Sequence, residues 1–223
     1  MRFTAPRLAL ASLLIAAAAG AQANTFGPVS PAWTVGSGQP NGGFNVAEGS
    51  GVQIGLRAQE RFVGIAPNNG VDTYFAAPGV STPPAGGNYA TWNFDFSLNY
   101  GTAQLQDYRT TLTIDVDPSA GVNEKTIDFN ALESLLGLSL YQDSWNLGMD
   151  FLESALGYSF DPAALGTYDF ALRVYDNEGM EFLNSTIHVV VGRDGGTTVP
   201  EPAGLALLGL GLAGLAALRR RRG

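Results

Sequence analysis

The residues best spaced for chemistry in this 223-residue chain are two pairs of carboxylates. Asp115 and Asp117 stand two apart where an alternating strand enters a turn, and Asp176 with Glu178 repeats the spacing in a loop. Hard oxygen ligands on loop edges suit Ca2+, which takes roughly six to eight of them. Neither pair fits the EF-hand pattern. The same groups would serve as acid and base in glycoside hydrolysis, yet a chain with twenty acids produces such pairs by chance. His188 is the only histidine and cysteine is absent, so no imidazole–thiolate metal set can form. His188 falls on the polar phase of a strand, which reads as a structural or solvated imidazole rather than a general base. No Gly-x-Ser-x-Gly elbow and no phosphate-cradling glycine motif accompanies it. Trp33, Trp145 and the tyrosines are the side chains a sugar-stacking face would use, although Trp33 reads more simply as packed core. No catalytic residue, cofactor or firm metal site emerges, and the four carboxylates remain the Ca2+ candidates.

The elements that must position any such group begin with the two chain ends. Arg2 and Arg7 precede an apolar run over residues 8–19, and Ala21-Gln22-Ala23 is a small-x-small cleavage site. This is the layout of a secretory signal peptide, residues 1–23, removed before Asn24. At the other end Val199-Pro200-Glu201-Pro202 leads into residues 203–218, which carry no charged or hydrogen-bonding side chain, and then Arg219, Arg220, Arg221 and Arg222. As a helix that run is roughly 24 Å long, short of a hydrocarbon core of about 30 Å. Local thinning, or the arginine stems entering the interface, makes up the difference. Basic clusters stay on the cytoplasmic side, so the tail reads as a transmembrane helix with a cytoplasmic stop. Pro200 and Pro202 hold the segment before it extended, in a form a protease can read. The plainer alternative is a helix breaker with no recognition role.

These tail residues resemble the PEP-CTERM sorting signal of Gram-negative bacteria. Pro200, Glu201 and Pro202 fall on the name-giving tripeptide, residues 203–218 on the helix, and Arg219 to Arg222 on the basic end. The resemblance covers about a tenth of the chain and implies recognition and removal of the tail by exosortase, an integral-membrane enzyme, during export. It also implies company with exopolysaccharide in biofilm or floc formation.

Between the signals the charge balance is one-sided. Residues 24–202 hold six Lys and Arg against twenty Asp and Glu, a formal net charge of −14. Nucleic-acid binding needs a basic footprint and is excluded as a function class. With no cysteines, an exported domain must hold together by its core alone.

Period-two alternation dominates this body. Val52, Ile54 and Leu56 oppose Gln53, Gly55 and Arg57; Trp92, Phe94, Phe96 and Leu98 oppose Asn93, Asp95 and Ser97. Further strands are expected over residues 109–116 and in a closing hairpin with Tyr168, Phe170, Leu172 and Val174, then Ile187, Val189 and Val191, facing inward. That hairpin looks like the closing strands of exported Ig-like modules such as PKD and cadherin-type domains. Residues 24–45 read as a loose lead-in with one short strand. Residues 132–140 and 152–160 resemble one another, each reading as a helical turn closed by glycine and followed by a short strand. The fold class expected is all-β, an antiparallel sandwich over residues 24–192 with Ig-like or jelly-roll topology. A flexible linker, residues 193–198, joins it to the sorting signal, 199–223.

The function expected is that of an exported, non-enzymatic surface or matrix protein. Its partners would be the secretion machinery, exosortase, the inner membrane in transit and exopolysaccharide. A carbohydrate-binding module is the alternative, and a secreted hydrolase the third.

Overall fold

The computed structural model describes residues 23–36, 38–81 and 87–192. In chain order the strands are β1 (Thr25–Gly27), β2 (Phe44–Gly49), β3 (Val52–Glu60), β4 (Gly64–Ile65), β5 (Thr73–Ala76) and β6 (Trp92–Asn99). They continue with β7 (Arg109–Asp115), β8 (Glu124–Asp128), β9 (Leu140–Trp145), β10 (Gly166–Tyr175) and β11 (Glu181–Val191). One α-helix, α1 (Asp150–Leu156), lies between β9 and β10.

The strands form two stacked sheets, ordered β1-β2-β3-β6-β9 with β4 folded back on β3, and β5-β11-β10-β7-β8. The all-β sandwich expected from alternation is present. Its pairs are antiparallel with one correction: β5 lies parallel to β11. These strands are over a hundred residues apart, so no hairpin dictates their relative direction. Taking β3, β5, β6, β7, β8, β9, β10 and β11 as strands A, A′, B, C, C′, E, F and G gives β1-β2-A-B-E in one sheet and A′-G-F-C-C′ in the other. That order matches an Ig-like sandwich apart from the added β1 and β2 and a strand D not found among the described residues.

The inner faces fit the alternation residue by residue. Val52, Ile54 and Leu56, Trp92, Phe94, Phe96 and Leu98, and Tyr168, Phe170, Leu172 and Val174 are all buried, as are Ile187, Val189 and Val191. Phe94 meets Phe170 and Phe96 meets Trp145, each pair with ring centroids 4.8 Å apart. The first of these contacts joins the two sheets and the second packs within the first sheet, both in the tilted or edge arrangements aromatic rings prefer.

Residues 24–45 depart from the loose lead-in expected. Asn24 is tied by its side-chain amide to Asn45 and to the Asn184 carbonyl, β1 pairs with β2, and the chain then crosses the outer face of the first sheet. There Val29, Trp33, Phe44 and Val46 form a second, smaller core. Gly55 is what lets the cover approach: a Cβ there would stand 2.9 Å from Val29 Cγ1.

The two similar segments diverge. Residues 132–140 form a 3-10 turn (Glu133–Leu135) and pass through Gly137 into β9, as expected. Residues 152–156 are the greater part of α1, which ends on Gly157 in the left-handed region, and no strand follows until β10. Hydrogen bonds hold that stretch instead, from Tyr158 Oη to the Leu147 carbonyl and from Phe160 N to Glu153 Oε1.

Candidate functional site

Strand register sets the outer face of the first sheet. Arg57 on β3 lies beside Asp95 on β6, Asp95 beside Ser144 on β9, and Gln59 beside Asn93. The lead-in roofs this row. Arg57 and Asp95 have fully buried side chains, with Nε donating to Oδ2 at 2.7 Å. Arg57 Nη1 also donates to the carbonyls of Pro40 (2.7 Å) and Gly42 (2.8 Å). Its guanidinium carbon lies 4.3 Å from the Phe44 ring centroid and 5.0 Å from that of Trp33. One cation thus pins the cover to the sheet through carboxylate, backbone and two aromatic faces. Burial pushes the Asp95 carboxyl up to about 6, with Arg57 the chief opposing influence.

Beyond this pair a cavity of about 490 Å³ opens, lined by Gln39, Gln59, Arg61, Phe62, Asn93 and Ser144. Its polar floor is rigid. Ser144 Oγ accepts from Gln59 Nε2 at 2.8 Å and Asn93 Nδ2 at 2.9 Å. Asn93 Oδ1 accepts from Asn146 Nδ2 at 2.8 Å and Arg61 Nη1 at 3.4 Å. Asn146 is itself fixed by the backbone of Ala90, Trp92 and Gly148. Among the described residues three buried lining atoms have no protein partner: Gln39 Oε1, Gln59 Oε1 and Arg61 Nε. The hairpin between β3 and β4 forms one wall. Phe62 at its tip has φ +63° and is 78% exposed, and the Arg61 guanidinium lies 5.1 Å from Phe62 and 4.9 Å from Tyr89.

The carboxylate pairs lie apart from this cavity and from one another. Asp115 Oδ1 accepts from the backbone of Asp117 and Asn123, and Asp117 Oδ1 from Ser119, bracing the β7–β8 hairpin. Bonding to Ser119 lowers the Asp117 pKa. Asp176 Oδ1 accepts from Glu178 N and Met180 N at the β10–β11 hairpin, at the opposite end of the second sheet. Each pair thus shapes a turn, and no three acidic or imidazole side chains converge among the described residues. His188 pairs across strands with Asp169, Nδ1 to Oδ1 at 2.6 Å, on an exposed face. Trp33 (6% exposed) is packed core, as its sequence context suggests; Trp145 (7%) is packed as well, so neither offers the stacking surface that a carbohydrate-binding module would use. Ala23 is exposed at the start of the described chain; Ala21, Val199, Pro200, Glu201, Pro202 and Arg219 to Arg222 lie outside the described residues.

Comparison with known proteins bears on that last group. The family model described as the PEP-CTERM protein-sorting motif matches residues 198–222. The chain carries a PEP-CTERM sorting signal. The PEP-CTERM motif marks an exported protein directed to exosortase and the cell surface. No curated protein matches the chain. Among solved structures, the crystal structure of the PmoD soluble domain from Methylocystis sp. ATCC 49242 (Rockwell) is similar at 12% identity and a TM-score of 0.30. That match covers 66% of this chain and 96% of that one. No described helix is long and apolar enough to cross a membrane, and the run 203–218 in the PEP-CTERM tail lies outside the described residues.

Sequence reasoning missed the cavity residues in the body of this chain. Gln59, Asn93 and Ser144 occupy polar phases of strands, where alternation alone says solvent. The usable signal was the choice of side chain: amides and hydroxyls where an exposed strand face ordinarily carries Lys and Glu.

Proposed function

We propose that the protein is a non-enzymatic component of the cell surface or extracellular matrix, delivered by its two terminal signals and associated there with exopolysaccharide. In this reading residues 203–218 halt the chain in the inner membrane with the arginines in the cytoplasm, and exosortase then removes the tail. The observation that carries it is the PEP-CTERM motif at the extreme C-terminus, behind a body whose N-terminal leader has the layout of a secretory signal. A binding rather than a catalytic role is supported by the cavity lining, which holds amides, a hydroxyl and a guanidinium but no carboxylate to act as general acid or base. Replacing Pro200 and Pro202 together by alanine should leave a longer, membrane-retained form on an immunoblot of cell fractions. Tail removal at the wild-type rate in that variant would overturn the sorting role.

A further inference from the structure

We propose that the cavity beside Arg61 binds a neutral sugar unit, its hydroxyls bonded to Gln39, Gln59 and Arg61 and its apolar face laid on Phe62. The inference rests on the exported, glycan-associated reading above and names the site by which that association is made.

The argument starts from what the cavity leaves unpaired. Gln39 Oε1 and Gln59 Oε1 are acceptors, Arg61 Nε is a donor, and all three are buried. Ser144 Oγ accepts two hydrogen bonds and its hydroxyl bonds the Asp95 carboxyl, so it belongs to the fixed floor. Gln59 is only 7% exposed, and its other amide end is held by Ser144, so the carbonyl is aimed and fixed. A buried polar group without a partner keeps a desolvation cost that a matching ligand offsets. Two acceptors and a donor belong to residues lining one cavity, so a ligand that both gives and accepts hydrogen bonds matches them. Hydroxyl groups do this.

Charge narrows the class further. A carboxylate or phosphate drawn to Arg61 would meet two carbonyl oxygens in the same space. An anionic polymer would also approach a body whose formal net charge is −14. A cation would meet the guanidinium. A neutral polyol avoids both conflicts.

Phe62 supplies the remaining feature. An aromatic residue held in the left-handed region is strained, and such strain gathers at ligand clamps. The ring is 78% exposed and lines the cavity, so packing does not explain its place. A ring presented beside fixed amides suits a ligand with one C–H face and a rim of hydroxyls, as a pyranose has. The volume, about 490 Å³, is within the usual range for small-ligand sites, roughly 300–1,000 Å³.

The test uses the full-length protein in lauryldimethylamine oxide, a detergent without a sugar headgroup. It is applied to an array of neutral oligosaccharides, polyuronates and peptides, and the best ligand is then titrated calorimetrically. A neutral oligosaccharide should bind. Gln59→Ala, Phe62→Ala and Arg61→Lys, which keeps the charge but removes Nε, should each weaken it tenfold or more. Val122→Ala, at a residue 76% exposed on a hairpin of the second sheet, should leave affinity unchanged. Circular dichroism and the thermal midpoint of each variant check folding, and Phe62→Ala, at an exposed tip, decides the matter should Gln59→Ala fail to fold. Absence of glycan binding, preference for polyuronate or peptide, or affinity indifferent to Phe62→Ala would overturn the inference. None of these outcomes touches tail processing, so failure here and failure of the sorting role are distinguishable.

Discussion

The outer faces of the two sheets carry the same written pattern and meet opposite fates. On the second sheet the polar phase stays in water, with Arg109–Asp128, Arg173–Glu181 and His188–Asp169 paired at 3.2, 3.4 and 2.6 Å, all partly or mostly exposed. On the first sheet the polar phase is roofed by the lead-in, and Arg57–Asp95 has no exposed side-chain surface at all. Coulomb attraction is similar in kind for the three arginine pairs, but the surrounding dielectric is not. The difference teaches that an ion pair's weight in this fold is set by whether backbone from elsewhere covers it.

The comparison is broken most severely at Arg57. Arg57→Met keeps the aliphatic stem but removes the bonds to Asp95, Pro40 and Gly42 and the cation over Phe44 and Trp33. Losing one partner of a buried pair costs about 3–5 kcal/mol. Urea unfolding should report a loss of that size. A loss below about 1 kcal/mol would mean that the roof is not held by the cation.

Asp95 sharpens the contrast through pH. Its folded pKa, about 6, lies above the ordinary value of 3.8, with burial the largest cause. The folded protein therefore binds more protons than the unfolded chain between about pH 4 and 6, and stability must fall as pH rises through that window. Above pH 6 this contribution is constant. Compared with Asp95→Asn, which cannot titrate, the wild type should lose on the order of 2–3 kcal/mol across the window. Thermal unfolding of both proteins from pH 4 to 7 measures it, and a relative gain by the wild type would show that Arg57's attraction outweighs desolvation.

Much of this architecture is written plainly in the chain. Phe94, Phe96, Phe170 and Leu172 sit on strict alternation, and the sandwich follows because large apolar side chains on one face demand a second layer. The sorting tail is legible for a similar reason: proline, an unbroken apolar run and arginines are local features. The roof is not local. Nothing near Arg57 announces that residues some twenty positions earlier will cover it, since Gly55, Val29 and Trp33 acquire their meaning only when brought together. The cavity inherits that opacity: Gln59, Asn93 and Ser144 come from three strands up to 85 positions apart. Phe62 stands at a turn with a positive φ that no local residue type announces.

Gly55 offers a subtler way to disturb the roof. In Gly55→Ala the new Cβ would lie 2.9 Å from Val29 Cγ1 and 3.3 Å from Phe44 Cδ1, so the cover must lift or the strand must shift. Overpacking of this kind costs about 1–3 kcal/mol. Limited proteolysis should cut the lead-in sooner than in the wild type, and an unchanged cleavage pattern would mean that Val29 gives way without disturbing the roof.

The smallest effect belongs to the solvated face. Asp169→Asn removes the carboxylate from His188 but leaves strand register and both inward neighbours, Tyr168 and Phe170, in place. Both side chains keep contact with water, so whatever attraction is lost is replaced by hydration. Exposed pairs are worth about 0–1 kcal/mol. Urea unfolding at pH 7 should therefore differ from wild type by less than about 1 kcal/mol, and added salt should shrink what difference remains. A loss of Arg57→Met size at Asp169 would place a second protected ion pair on the sheet that has no roof, and the distinction between covered and uncovered faces would fail.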